Sequence, residues 1–332
     1  MRLQDFQFDR AVIRGRASSK IEKLLNYSSF FLRTLYKLIF RKYDLVYIHY
    51  VAHSALPLLP IIWLKRFNLV CNAHGEDLLP RSKSERLISL LVSKVIKSSK
   101  LIVVPSEYFF SIAKKAHPHN KIFISPSAGI NVEIFRPIPQ SLNNKNSLHL
   151  GFVSRIDPGK GWDIILKAAA HIKSNHPNIK LRIDFVGEGS QSNEFFSLIN
   201  ALELDDIVSY LGPMQQSDLP QFYSSLDVFI FPTTLRESLG LVGLEALACG
   251  TPSICSNIGG ISTYMKDGVN GFLFPPGDHQ DLAQKIVDFY YLQPSEKQRL
   301  KKAALATAHQ YDSTHIAITL SQEIRKTMEA QP

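Results

Sequence analysis

The chain has 332 residues, 45% hydrophobic and 20% charged, a profile that excludes a disordered or fibrous protein and leaves room for two cores. Cys71, Cys249 and Cys255 sit in apolar or small-residue surroundings and suit neither a disulfide set nor a metal cluster, so reduced structural thiols are expected. No run of eighteen apolar residues marks a membrane span, and the start MRLQDFQFDR lacks the pattern of a signal peptide, which predicts a soluble, cytoplasmic protein. The net charge of +9 is uneven: residues 1–143 hold 22 Lys or Arg against 9 Asp or Glu, and residues 144–332 hold 16 against 20. A basic amino half suggests a polyanionic partner. No helix-turn-helix, zinc finger or aromatic-basic ribonucleoprotein motif is legible, so an acidic membrane surface is expected and nucleic acid is not.

Ser19-Lys20-Ile21-Glu22 fits a capping box and predicts a helix running to about Arg41. Its apolar Leu24, Phe31, Leu35 and Leu38 and its basic Arg33, Lys37 and Arg41 recur at helical spacing, which suits either a core-facing helix or one lying on a membrane. A buried strand over 45–48, a helix over 56–66 interrupted by Pro57 and Pro60, and a strand over 69–73 follow. That strand runs into His74-Gly75-Glu76-Asp77. A helix over 84–99, a strand over 101–104 and a further strand at 122–124 continue the alternation, which is the grammar of a parallel sheet with a polar turn at each strand end. Turn residues at 136–139 and the polar stretch 140–147 predict a linker, with the domain boundary after residue 143.

The second half restarts the pattern. Strands are expected at 148–153, 181–186 and 207–211, helices at 162–174, from Gly189 to about Leu202, and at 217–225. An apolar run from Val228 leads through a loop with Glu237 to a small-residue helix with Glu245, then to a second apolar run opened by Pro252. This strand, turn, helix and strand would place Glu237 and Gly240 at a strand carboxyl end, where such sheets bind ligands. After Asp278 the tail reads as helical to near Met328, broken around Pro294 and Tyr311.

Arg155 and Lys160 flank a turn containing Pro158 and Gly159 just past a strand, and Gly240-Leu241-Val242 would form the first turn of the following helix, with unpaired amides and the positive end of its dipole. A diphosphate fits between these groups. Glu237 and Glu245, separated by seven residues, could each accept hydrogen bonds from vicinal hydroxyls, which makes sugars natural partners.

The stretch ESLGLVGLEALACGTP at 237–252 resembles the signature of retaining glycosyltransferases of family 4, the group 1 glycosyl transferases. The likeness extends through GFVSRIDPGKG at 151–161, FVGEG at 185–189, YLGPM at 210–214, Gly259-Gly260 and DGVNGFLFPPGD at 267–278. In the amino half it is thinner: HGED at 74–77, VPS at 104–106 and SPSAGINVEIFRP at 125–137. The resemblance implies an α/β protein of two Rossmann-like domains facing a cleft, the GT-B fold. Residues 1–143 would form the acceptor-side domain, completed by a carboxyl-terminal helix at about 312–330, and residues 144–311 the donor domain.

Position by position, it implies that Glu245 holds the ribose and that Arg155, Lys160 and the amides of Gly240, Leu241 and Val242 hold the diphosphate. Glu237 and His74 would act on the transferred sugar. The implied reaction is a metal-independent, retaining hexosyl transfer from a UDP- or GDP-linked sugar, with no cofactor, to a glycan, lipid-linked or cell-surface polysaccharide precursor, on the inner face of the cell membrane. It would proceed by front-face displacement, with Glu237 as orienter and not nucleophile; Arg155, Lys160 and the helix amides can neutralise the leaving group, and no Asp-x-Asp triplet is present to chelate a metal.

Ser238, Leu239 and Thr263 replace the family's usual glycine, aromatic and glutamate. The strand and glycine-rich loop that open other members are not legible before Asp44, so the first βα unit is expected to be missing or replaced. A catalytically silent nucleotide-sugar-binding or scaffolding homologue is the alternative; a nucleotide-sugar epimerase fits the glutamate motif less well.

Overall fold

The structure, a computed structural model, describes residues 6–13, 19–75, 77–80, 82–140 and 147–329; Glu76, most of the expected linker (141–146) and residue 330 lie outside it. The chain divides into two units, Met1–Ser127 with Ala317–Pro332, and Ala128–Ile316. The division falls earlier than residue 143, because Ile130 and Phe135 are buried in the second unit's core and the Ile130 amide donates to the Tyr311 carbonyl.

The first unit opens with helix α1 (Lys20–Phe40), capped by Ser19, whose hydroxyl accepts from the Glu22 amide. Strands β1 (Val46–His49), β2 (Leu69–Asn72), β3 (Leu101–Val104) and β4 (Ile122–Ile124) form a parallel sheet in that order. Between them run the short α2 (Val51–Ser54), α3 (Lys83–Lys97) and α4 (Glu107–Ala116). The helix expected over 56–66 is reduced to a 3₁₀ turn, Leu56–Leu58, followed by isolated turns. Pro57 and Pro60 lack the amide that would continue a helical ladder. Leu35 and Leu38 of α1 and Val92, Val95 and Ile96 of α3 pack into one core with Phe109 and Ala113 of α4, so these helices form a single layer on one face of the sheet. On the other face, Leu320 and Ile324 cover Val70, Leu101 and Val103.

Among the described residues the second unit holds six parallel strands: β5 (Leu148–Val153), β6 (Leu181–Val186), β7 (Val208–Gly212), β8 (Val228–Phe231), β9 (Ser253–Ser256) and β10 (Gly271–Phe274). Their order is β10-β9-β8-β5-β6-β7. The chain proceeds outward from β5 through β6 to β7, then returns to the other side of β5 with β8, so the topological switch lies between β5 and β8. The intervening helices are α5 (Trp162–Asn175), α6 (Ser192–Ala201), α7 (Leu219–Ser225), α8 (Leu241–Ala248) and α9 (Ile261–Tyr264). The tail forms α10 (His279–Tyr291), α11 (Pro294–His309) and α12 (Ser313–Glu329), with breaks at the expected Pro294 and Tyr311. The residues of α12 from Ala317 onward belong to the first unit.

A polar bridge links β5 and β6. The ring nitrogens of buried His149 lie 2.8 Å from the Asp184 carboxylate and 3.1 Å from the Ser225 carbonyl, and the His149 amide donates to Asp227 at 2.9 Å. Arg182 donates to Asp184 at 2.8 and 3.1 Å. Burial opposes ionisation of Asp184, but the bonds from His149 and Arg182 outweigh it and hold the carboxyl below its ordinary value. A depressed folded-state pKa gives stability that is present above the unfolded carboxylate pKa and lost as pH falls through the folded value. Urea unfolding is therefore expected to show Asp184→Asn less stable by about 3 kcal/mol at neutral pH, because the His149–Arg182 cluster loses its anion. The wild type should lose stability below about pH 4, with a shallower decline in the variant.

Candidate active site

The loops after β5 and β8 meet at the switch point and are hydrogen-bonded to each other. The Thr234 amide donates to the Gly159 carbonyl at 2.9 Å, and the Thr233 hydroxyl donates to the same oxygen at 3.2 Å. Lys160 Nζ lies 2.8 Å from Glu237 Oε1, both side chains largely buried, and the Thr233 hydroxyl reaches that carboxylate at 3.3 Å. Arg155, with a side chain 72% exposed, pairs with Asp157 at 2.7 Å. Asp157 also accepts from the Ser190 amide at 2.8 Å and hydroxyl at 2.9 Å, tying the loop after β6 to the same crevice. These bonds hold the Asp157 carboxyl below its ordinary value.

Gly240 caps α8 in the left-handed region (φ 84°), a conformation that turns the chain sharply from loop to helix. No side chain caps this helix, so the amides of Leu241 and Val242 at its first turn are not consumed by a capping group. The loop bearing Glu237 is set from below by Gly259 and Gly260: the Gly260 amide donates to the Glu237 carbonyl at 2.9 Å. A Cβ on Gly260 would collide with the Ser238 carbonyl, and one on Gly259 would stand 2.8 Å from that of Glu237.

Glu245 lies one turn farther into α8, buried, with Tyr223 of α7 donating to its carboxylate at 3.1 Å. Burial raises the Glu245 carboxyl above its ordinary value, and the Tyr223 bond offsets part of that rise. Leu239 is buried, and Thr263 Oγ1 is buried without a hydrogen-bond partner among the described residues.

His74 belongs to the first unit, at the carboxyl end of β2. Its Nε2 is 3.3 Å from Nδ1 of His49 at the end of β1, and its ring stacks on Tyr50 with centroids 4.2 Å apart. Asp77 clamps the turn, its two oxygens accepting from the His74 and Ala52 amides at 2.8 Å each. Burial first, then the neighbouring His49, holds the His74 imidazole down to about 4, against the opposing pull of Asp77. The ring is therefore neutral at physiological pH and able to donate or accept a hydrogen bond.

The structure brings Arg155, Lys160, Glu237, Gly240, Leu241, Val242 and Glu245 to one edge of the second sheet, while His74 stands in a separate cluster in the first unit. Sequence reading did not single out Asp157, Thr233 or Tyr223, nor His49, Tyr50 and Asp77 as the supports of His74. Asp157 lies within the quoted SRIDPGKG stretch; Tyr223 carries no signal, because its partner is 22 residues away on another helix.

Two outcomes are expected. Gly260→Ala should lower the unfolding free energy by about 1–3 kcal/mol in urea titrations, since the Glu237 loop must shift to admit the methyl group. Histidine NMR titration should place His74 well below the ordinary 6.5 of an imidazole, and His49→Ala should raise it by removing the neighbouring ring.

Residues 135–306 match the model of the glycosyl transferases group 1 family. D-inositol 3-phosphate glycosyltransferase of Arthrobacter sp. is 29% identical over 284 residues, which cover 79% of this chain and 66% of that protein. Its counterpart from Pseudarthrobacter chlorophenolicus is 32% identical over 211 residues, 61% of this chain and 50% of that protein. The chain thus spans about half to two thirds of the length of these curated relatives. Among solved structures, sucrose-phosphate synthase from Thermosynechococcus elongatus superposes with a TM-score of 0.78 at 20% identity, covering 94% of this chain and 80% of that one. Anabaena HepE, solved in complex with UDP and glucose, gives 0.73 at 22% identity, covering 93% and 83%. These likenesses show the fold, two parallel-sheet α/β domains of the GT-B class. With the family model matched over more than half its length, the chain belongs to the glycosyl transferases group 1 family.

Proposed function

We propose that the protein transfers a hexosyl group from a UDP- or GDP-linked sugar to a glycan, lipid-linked or cell-surface polysaccharide precursor, retaining the anomeric configuration. The observation that carries this reading is the convergence of Lys160, Glu237 and the first turn of α8 at the β5/β8 switch point. Lys160, Arg155 and the amides of Gly240, Leu241 and Val242 take the diphosphate, and Glu245 accepts from the ribose hydroxyls while Tyr223 fixes its carboxylate. These groups supply cationic and dipolar stabilisation to the departing diphosphate from the protein itself, so no metal is assigned to the step.

In the transfer, the bond between sugar C1 and the diphosphate oxygen breaks as the acceptor oxygen bonds C1 on the same face. The acceptor proton passes to the leaving phosphate oxygen. Positive charge developing on the sugar ring is countered by Glu237, whose position is set by Lys160 and Thr233. His74, neutral in the first unit, is assigned a hydroxyl contact on the transferred sugar. The family membership supports glycosyl transfer, and HepE, solved with UDP-glucose, supports a uridine nucleotide. The basic amino half supports peripheral contact with an acidic membrane.

Titration calorimetry with UDP and GDP is expected to show Glu245→Ala weaker by about 1–3 kcal/mol, the cost of losing an acceptor for buried hydroxyls. Unchanged affinity would remove the ribose assignment. With a panel of UDP and GDP sugars, nucleotide release should continue in the presence of EDTA, and His74→Ala should slow it about a hundredfold or more while nucleotide affinity holds. Tight nucleotide binding with no turnover on any donor or acceptor would instead support a silent homologue.

A further inference from the structure

We infer that the outer surface of the first unit's helical layer, formed by α1, the Trp63–Leu64 turn and α3, is a docking face for a bilayer containing acidic lipid. This rests on the peripheral-membrane part of the reading above and assigns the surface that performs it.

Among the described residues, eighteen of the twenty-three exposed large apolar or aromatic side chains belong to the first unit, so the exposure is a property of that unit and not of the chain at large. On α1, Ile21, Leu25, Leu32, Tyr36 and Ile39 stand in the solvent at spacings of four, seven, four and three residues, which align them in one stripe about 27 Å long. The inner face of α1 is already occupied by Phe30 and Leu38, buried toward the core. Among the described residues this helix is therefore apolar on two sides, and only the inner one is covered.

The stripe continues across the layer. Lys65 donates to the Leu38 and Arg41 carbonyls at 2.8 and 3.0 Å, which fixes the 63–66 turn against the end of α1. Within that turn Trp63 is 70% and Leu64 86% exposed. Lys94 of α3 sits 3.0 Å from the centre of the Trp63 ring, and Leu87, Leu90 and Leu91 are exposed on the same face of α3 as Lys94. α1, this turn and α3 contribute to one core, and the exposed side chains of each lie on its side away from that core.

Charge selects the occupant. The first unit carries 23 Lys or Arg against 10 Asp or Glu in the full sequence, a net +13, and the second unit carries −4. Exposed cations lie around this face: Lys20 at the start of α1, Arg66 after the turn, and Lys83, Arg86 and Lys97 on α3. Lys37 and Arg41 are already engaged by Asp9 and are not counted on. Glu85 is committed to the α3 capping box. Two such faces from two copies would repel, and a nucleic acid would leave the leucines without a partner. An apolar stripe with interfacial Trp and Tyr, bordered by cations, matches an anionic bilayer surface. No helix of the described residues is long and apolar enough to cross a membrane, which agrees with lying on the surface.

The chain contains its own reporter. Of its two tryptophans, Trp63 is exposed and Trp162 is buried in the second unit, so a change in emission reports the proposed face. The full chain is mixed with phosphatidylcholine vesicles, with and without phosphatidylglycerol, across a salt series. Co-sedimentation and a blue shift are expected with the acidic vesicles alone, both weakening as salt rises. Trp63→Phe should abolish the shift, and Leu32→Ser with Leu90→Ser should weaken binding by about tenfold or more while circular dichroism and UDP affinity stay unchanged. Full binding by the double variant would overturn the surface assignment. Failure of the wild type to bind acidic vesicles while still binding UDP would overturn the membrane reading and leave the donor site standing. A dimer in sedimentation equilibrium that dissociates in the double variant would assign the face to a second copy and overturn the proposal.

Discussion

The backbone contact between Gly260 and the Glu237–Leu239 loop is the constraint on which the second unit's candidate site depends. The Gly260 amide donates to the Glu237 carbonyl, and neither Gly259 nor Gly260 has room for a side chain against that loop. The loop in turn sets where Glu237 meets Lys160 and where the chain turns, at Gly240, into α8. Thr233 and Thr234 close the arrangement by bonding to Gly159. Two loops remote in sequence are thereby held as one rigid lip on the crevice between β5 and β8, with a cation, a carboxylate and a helix amino end at fixed positions.

Electrostatics on this lip are arranged in pairs. Lys160, largely buried, is held by Glu237, and the exposed Arg155 pairs with Asp157. An arriving diphosphate in the proposed reading would compete with carboxylates for cations already in position, which keeps the reorganisation small. Glu245 is different: buried, with its carboxyl raised by that burial, it has Tyr223 as a donor and capacity for more. The first unit carries the opposite balance of charge; burial lowers both His49 and His74, and His49 lowers His74 further. The two units thus divide the chemistry in the proposal, the second presenting donor-binding groups and the first a neutral hydroxyl contact and a basic, apolar outer face.

The alternation of apolar runs with helical spacing made the parallel α/β class legible, and the breaks at Pro294 and Tyr311 fall where their residues suggest. Strand order was not legible: nothing in periodicity says that β8 returns to β5, yet that crossing creates the crevice. β10 lies inside the glycine- and proline-flanked DGVNGFLFPPGD stretch, whose turn residues masked its strand character, and Pro57 and Pro60 did more than interrupt the helix they were assigned to. Arg155, Lys160, Glu237 and Glu245 were legible because each lies in a motif of local spacing. Tyr223, Asp157, His49 and Asp77 were not singled out, since what they do is support another group across 22, 33, 25 and 25 residues respectively, to Glu245, Ser190, His74 and Ala52. The glycine pair was visible as a motif, but its physical task, leaving space for a carbonyl, appears only in three dimensions.

In the proposed function the β5/β8 lip binds a nucleoside diphosphate through Lys160 and the first turn of α8. A crystal structure of the protein soaked with UDP tests it most directly. Diphosphate oxygens are expected within hydrogen-bonding distance of Lys160 Nζ and the Leu241 and Val242 amides, with the ribose hydroxyls on Glu245. UDP bound elsewhere on the chain, with these groups making no contact to it, would contradict the account.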